Sequence, residues 1–342
     1  MPEPDAALEA VVDRALPHWP LQVAAISFVS ARENVVYRVD TVDGGSYALR
    51  IHRPGYHTLA ELESENSWTT ALSDAGIATP RPVPTTAGAG YATVPYGAAG
   101  ETRHVGLIEW LEGQPLDEVL AAGERDPVPL FAALGRLMAQ MHAQATDWCT
   151  PEGFDRHALD ADGLVGRDPW WGRFWEVPEL TPGEREIVSG ARRTIHGLLR
   201  DYGRRPGRYS LIHSDLLAEN VLVQDEGVAA IDFDDTAYGW HMYDLASGLT
   251  QRFGDPRFDE LQAALLAGYQ AVRPLGAEDI ALLPVFLLVR PLVEIGWFHA
   301  RLSGPLTQRA GGPVTREGTI LPRVRTAIEQ CAAVLPSLRS VV

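Results

Sequence analysis

Apolar and polar positions change period near residues 109–113. Before that point the apolar residues fall in short, strand-like runs. LQVAAISFV (Leu21–Val29), VVYRVDT (Val35–Thr41) and SYALRIHR (Ser46–Arg53) are rich in β-branched and aromatic residues, and the turn Asp43–Gly45 separates the last two. Three strands are predicted there. A short amphipathic helix is predicted over residues 1–18 and another helix over Thr58–Ser73. Thr79–Gly100, rich in Pro, Gly and Ala, reads as loop mixed with strand, and Val105–Gly113 as a buried strand leaving into a turn. Beyond it the period lengthens. Phe131, Leu134, Leu137, Met138 and Met141 share one helical face, and helical patterns return at about 181–202, 256–272, 279–302 and 316–338.

Strands first and helices second imply an α+β chain in two lobes rather than a doubly wound sheet. The expected division is a β-rich lobe over residues 1–108, a hinge at 109–113 and a mainly helical lobe over 114–342. The most apolar stretch, Ile280–Phe298, carries Arg290, Glu294 and two prolines, so it reads as a kinked buried helix and not as a membrane span.

One hairpin carries the candidate chemistry. His213-Ser214-Asp215 is followed by Asn220, a strand Val221–Val223, a turn, a strand Val228–Ile231 and then Asp232, Asp234 and Asp235. Phosphoryl transfer from ATP needs a carboxylate beside the attacking hydroxyl, oxygen ligands for Mg²⁺ and cations at the phosphates. Asp215 can accept or orient the hydroxyl proton. Asn220 can turn its amide oxygen to the metal, and the hairpin returns Asp232 beside it. Mg²⁺ takes few protein ligands and completes its octahedron with phosphate and water. If the chain stays extended, Asp234 follows on the side of Asp232 and Asp235 lies opposite.

LIHSDLLAENVLV…AIDFDDTAYGWHMYDLA resembles the aminoglycoside phosphotransferase and choline kinase-like family, which shares the protein-kinase fold. The resemblance covers about residues 20–300. It implies Asp215 as catalytic aspartate, with His213 ahead of it, and Asn220 and Asp232 as metal ligands. Asp244 is similar to the family's buried aspartate that braces the catalytic loop, though a helix N-cap is an equal reading of that position. Ser214 stands where the family usually has Gly; Leu217 and Glu219 stand where many members have His and Gly. Those departures bear on substrate identity. YALR resembles the kinase strand Val-Ala-Ile-Lys, with Ala48 beside the adenine and Arg50 in the lysine position. All 29 basic residues of the chain are Arg, so no lysine is available for that role. Glu65 is the expected acidic partner of Arg50, with Glu61 in reserve; Glu61, Glu65, Trp68 and Leu72 share one helical face. A short turn containing Asn34 replaces a glycine loop, and backbone groups of Glu109 and Leu111 are the expected adenine partners.

Composition narrows the remainder. A net charge of -16 argues against nucleic acid and is compatible with a cationic substrate. Two distant cysteines make neither a disulfide framework nor a zinc site, and the acidic start lacks the apolar core of a secretory leader, so a cytoplasmic location is expected. The oligomeric state is not legible. The expected activity is transfer of phosphate from Mg-ATP to a hydroxyl of a small, amine-bearing molecule. The wording lies nearest the homoserine-kinase and bacterial stress-kinase branch, which leaves a Ser/Thr protein kinase as an alternative. A nucleotide-binding module without transfer and a metal-dependent hydrolase are the other readings. Trp148, Trp170, Trp171 and Trp175 either wall a substrate cleft or anchor a long loop. Glu219, Asp234 and Asp235 either bind a substrate ammonium group, support the metal or are solvated.

Overall fold

The structure is a computed structural model that describes residues 6–31, 34–97, 100–302 and 321–338. Its chain contacts divide it into two compact units.

The first unit comprises the described residues up to Glu112 together with Cys149–Arg156. Helix α1 (Ala6–Ala15) precedes strands β1 (Val23–Ala31), β2 (Val35–Thr41) and β3 (Ser46–Ile51). Helix α2 (Leu59–Asp74) leads to β4 (Tyr91–Tyr96) and β5 (Glu101–Glu109). The five strands form one antiparallel sheet in the order β1-β2-β3-β5-β4. Leu8, Val11, Val12 and Ala15 of α1 share a core with Val39, Leu49, Val94 and Val105 of the sheet. Thr58 starts α2 with a capping box: its hydroxyl accepts from Glu61 N, and the Glu61 carboxylate accepts from Thr58 N. Residues 149–156 are fastened to α2, with Asp155 N donating to Ser64 Oγ at 2.8 Å and Arg156 Nη1 to Glu61 O at 3.2 Å.

The second unit holds β6 (Gln114–Pro115), α3 (Leu116–Ala122) and α4 (Pro127–Asp147), then β7 (Ala158–Leu159), α5 (Ala161–Val165) and α6 (Pro182–Tyr202). Strands β8 (Tyr209–Ile212), β9 (Val221–Gln224), β10 (Gly227–Ala230) and β11 (Ala237–Trp240) follow. They form two small sheets, β10-β9-β6 and β7-β11-β8. Helices α7 (His241–Thr250), α8 (Phe258–Gln270), α9 (Ala277–Leu302) and α10 (Leu321–Leu338) complete the unit. The predicted face of α4 is buried at all five positions. Helix α9 keeps Pro284 and Pro291 inside it; its span Ala277–His299 is long and apolar enough to cross a membrane, but 72% of that window is buried within the protein. The predicted first residues of the last helix, 316–320, lie outside the described residues, as do the first five of the chain. Helices α3 and α7 were not foreseen. Each is short, and α7 starts directly after a strand without a side-chain cap.

Helices α4 and α8 meet through glycine. A Cβ on Gly135 would lie 2.0 Å from Leu265 O, and one on Gly268 would lie 2.0 Å from Ala132 O. The backbones therefore approach too closely for any side chain at either position. Gly135→Ala should destabilise the protein by about 1–3 kcal/mol through forced separation of the helices. Gly197→Ala in α6, where nothing lies within 4 Å, should instead stabilise it by about 0.5–1 kcal/mol. Urea denaturation of both variants checks the pair; equal effects would contradict the packing account.

Candidate active site

Strand β8 delivers the chain into the loop 213–217, and a 3-10 turn (Ala218–Asn220) returns it into β9. Three buried groups hold this loop. Asp244, fully buried on α7, accepts from His213 N at 2.9 Å and from Ser214 N at 2.6 Å. Ser247, one turn on, donates its hydroxyl to Ser214 O at 3.1 Å. Arg290 of α9 donates to Ser214 O at 3.4 Å, to Tyr243 Oη at 3.2 Å and to Asp215 Oδ1. Asp244 is thus a brace of the loop and not an N-cap; Trp240 occupies the N-cap position.

Asp215 is held at both oxygens, by Arg290 at Oδ1 and by Asn220 Nδ2 at Oδ2, 3.0 Å away. Asn220 Nδ2 also donates to Asp215 O at 2.9 Å. Both hydrogens of the amide are therefore spent on Asp215, and its oxygen remains as a hard ligand atom. The β9–β10 hairpin pairs Val221 with Ala230, and Ile231 N donates to Asn220 O at 3.0 Å. Asp232 is consequently the next residue after the chain passes Asn220. An amide oxygen and a carboxylate suit Mg²⁺, which draws the rest of its octahedron from phosphate and water.

Two non-glycine residues of the described chain have positive φ, Ser214 at 69° and Asp232 at 63°. Each conformation costs about 1–3 kcal/mol. Glycine would adopt it freely, but Ser214 gains a bond that glycine lacks: its hydroxyl donates to Asp235 O at 2.6 Å. That bond ties the loop of Asp215 to the loop of Asp232. The left-handed turn at Asp232 also overturns the expectation of an extended chain. Residues Phe233–Thr236 form a turn closed by Thr236 N donating to Phe233 O, and Asp234 is buried in it.

His213 is fully buried, with Nε2 donating to Ile231 O at 3.0 Å and Nδ1 accepting from Asp215 N at 3.3 Å. It spans the two strands as a neutral ring, and burial lowers its pKa. Behind Asp244 lies a second polar layer. His142 Nε2 is 3.0 Å from Asp244 Oδ2 and its Nδ1 is 3.0 Å from Tyr269 Oη, while its ring stacks on His241 at 4.3 Å. An ionised Asp244 only accepts, so His142 donates to it from Nε2 and accepts from the Tyr269 hydroxyl at Nδ1. Burial pushes His142 down to about 3 and Asp244 up to about 6.

In the first unit Arg50 Nη1 meets Glu65 Oε1 at 2.6 Å, and both side chains are buried. Glu61 is instead committed to capping α2. Ala48 is buried two residues before Arg50. Asn34 is buried, and its Oδ1 accepts from Arg53 N at 3.3 Å; the neighbouring residues 32 and 33 lie outside the described residues. Glu109 ends β5 with its N–H donated to Arg81 O, so only its carbonyl can meet an adenine amine; Leu111 follows outside any strand or helix. Glu219 accepts from Gln251 Nε2 at 2.8 Å. Trp171 is buried, Trp170 stacks on His157, and Trp175 lies under Arg192. Sequence reasoning missed Arg290, His142, Tyr243 and Ser247. For Arg290 a signal existed, since a charge inside the most apolar stretch needs a buried counter-charge.

A family model described as "Phosphotransferase enzyme family" matches residues 25–279. A solved microcompartment-associated aminopropanol kinase is 31% identical, with a TM-score of 0.81 over 97% of this chain and 98% of that one. A homoserine kinase of Rhizobium etli is 31% identical over 252 residues, 72% of this chain and 70% of that protein. A solved amicoumacin kinase in complex with AMP-PNP, Ca²⁺ and Ami shares the fold at 20% identity, with a TM-score of 0.76 over 94% of this chain and 93% of that one.

Three buried histidines set a pH dependence. His142, His213 and His241 stay neutral in the folded protein because burial lowers each pKa, whereas in the unfolded chain they titrate near 6.5. Their contribution is present above pH 6.5 and lost as pH falls. Asp244, raised from 3.8 to about 6, acts oppositely: its contribution is present below pH 3.8 and lost as pH rises through about 6. His142 and His241, both held well below 6.5, outweigh Asp244, so stability should fall between pH 7 and pH 5, by about 1.4 kcal/mol per pH unit for each net proton. Urea midpoints at pH 7.5, 6.5 and 5.5 check this; a flat profile would contradict it.

Proposed function

The chain belongs to the phosphotransferase enzyme family and is a kinase acting on hydroxyl groups, and from that premise we propose that it moves the γ-phosphate of Mg-ATP to a hydroxyl of a small, amine-bearing molecule. The observation that carries the reading is the fixed carboxylate of Asp215, held through both oxygens and joined by the β9–β10 hairpin to the segment of Asp232.

Asp215 accepts a hydrogen bond from the acceptor hydroxyl and aims its oxygen at the phosphorus. The Asn220 amide oxygen and the Asp232 carboxylate would hold Mg²⁺, which would neutralise charge developing on the phosphates. Arg50, kept in place by Glu65, is the phosphate cation of the first unit; its planar fork can span two oxygens, which an ammonium cannot. The carbonyl of Glu109 and the backbone of Leu111 take the adenine. The relatives support a small acceptor, because aminopropanol and homoserine each carry an amine and a hydroxyl. An acidic chain of net charge -16 is compatible with a cationic acceptor.

Asp215→Asn should leave Mg-ATP affinity within about threefold and lower turnover by about 10²–10⁴-fold, the range for a group that positions or takes a proton. Asp232→Ala should lose Mg-dependent nucleotide binding as well. Calorimetry with ATP, and ADP release with aminopropanol, homoserine, choline and aminoglycosides as acceptors, measure both effects. Wild-type turnover in Asp215→Asn would remove the assignment.

A further inference from the structure

Arg290 is the one cation in the second unit whose guanidinium reaches the carboxylate proposed to orient the acceptor, among the described residues. It arrives from α9, 75 residues beyond Asp215. It is buried between Pro284 and Pro291 in the most apolar helix of the chain, a costly position for a permanent charge. A core helix would be better served there by leucine, so the charge needs a reason. Its three hydrogen bonds supply one. All go to a single locus: Ser214 O, the Tyr243 hydroxyl that packs under it, and Asp215 Oδ1.

We propose that Arg290 is a positioning residue for phosphoryl transfer: with Asn220 it clamps the Asp215 carboxylate in one rotamer, so that the acceptor hydroxyl meets a fixed oxygen. The inference rests on the reading of Asp215 as the catalytic aspartate. The geometry divides the work. Asp244 fixes the N–H groups of residues 213 and 214, Ser247 and Arg290 fix the carbonyl of 214, and Arg290 and Asn220 take one carboxylate oxygen of 215 each. Asp244 and Ser247 thus set the backbone, whereas the side-chain angles of Asp215 are set by Arg290 and Asn220. Each oxygen keeps a lone pair beyond those bonds for an incoming hydroxyl. A guanidinium suits this task better than an ammonium, because its planar fork reaches the carbonyl and the carboxylate together.

The test compares Arg290→Met, Arg290→Lys and Arg290→Ala with the wild type and with Asp215→Asn. ADP release is measured with saturating Mg-ATP, with a mixture of aminopropanol, homoserine and choline, and with water alone as acceptor. Mg-ATP affinity comes from calorimetry. Arg290→Met should lower the rate by about 10²-fold, the scale of a misaimed group, with Mg-ATP affinity changed less than about threefold. Arg290→Lys should recover part of that loss. Guanidinium chloride, at concentrations that do not unfold the protein, should raise the Arg290→Ala rate several-fold, which a packing role would not produce. Wild-type rates in Arg290→Met, or a loss that neither lysine nor guanidinium relieves while Mg-ATP still binds, would overturn the proposal. An active Asp215→Asn would instead overturn the assignment of Asp215 itself, and the two failures are distinguishable.

Discussion

Asp244 exposes no surface, and its carboxylate takes the backbone N–H groups of His213 and Ser214 together with the ring N–H of His142. A buried carboxylate is stable only when its oxygens are filled. Here two of the three donors are the backbone of the loop that carries Asp215, so the charge cannot be satisfied unless that loop is in place. The cost of burial is thereby turned into a geometric constraint. Tyr269, on a helix locked to α4 by facing glycines, closes the chain of bonds behind His142.

From that fixed point the rest follows in sequence. Ser214 turns left-handed, and its hydroxyl binds the carbonyl of Asp235. The hairpin brings Ile231 against Asn220, and the second left-handed residue, Asp232, comes next. Strain at these two non-glycine positions is retained where the surrounding bonds over-determine it, as is common at functional sites. Asp215 follows the first of them, with Asn220 and Arg290 on its oxygens. Burial therefore buys order at the loop, and order there fixes the oxygens of Asp215 and Asn220.

Much of this was legible in the chain. The period change marked the passage from sheet to helices, and the alternation of SYALRIHR placed Ala48 and Arg50 on one face of β3. Helical spacing selected Glu65 as the partner of Arg50, and the ion pair is present. The order His213, Asp215, Asn220, hairpin, Asp232 gave the candidate site. What stayed hidden depends on contacts distant in sequence. Position 244 could be either a brace or a cap until α7 was seen to lie against the loop. The run Asp232–Asp235 was expected to be extended because alternation says nothing about a positive φ at a non-glycine residue. Arg290 counted only as a charge against a membrane span, since no local pattern links it to a residue 75 positions earlier. The acceptor is set by surfaces with no simple period, so the relatives narrow it further than the motif does.

The most direct measurement is ³¹P NMR of the protein with Mg-ATP and the acceptor panel. Transfer to a hydroxyl predicts a phosphomonoester resonance that grows in step with ADP, shows proton coupling through the ester oxygen and is absent with Asp215→Asn. Growth of inorganic phosphate alone, at the same rate with and without every acceptor, would contradict it.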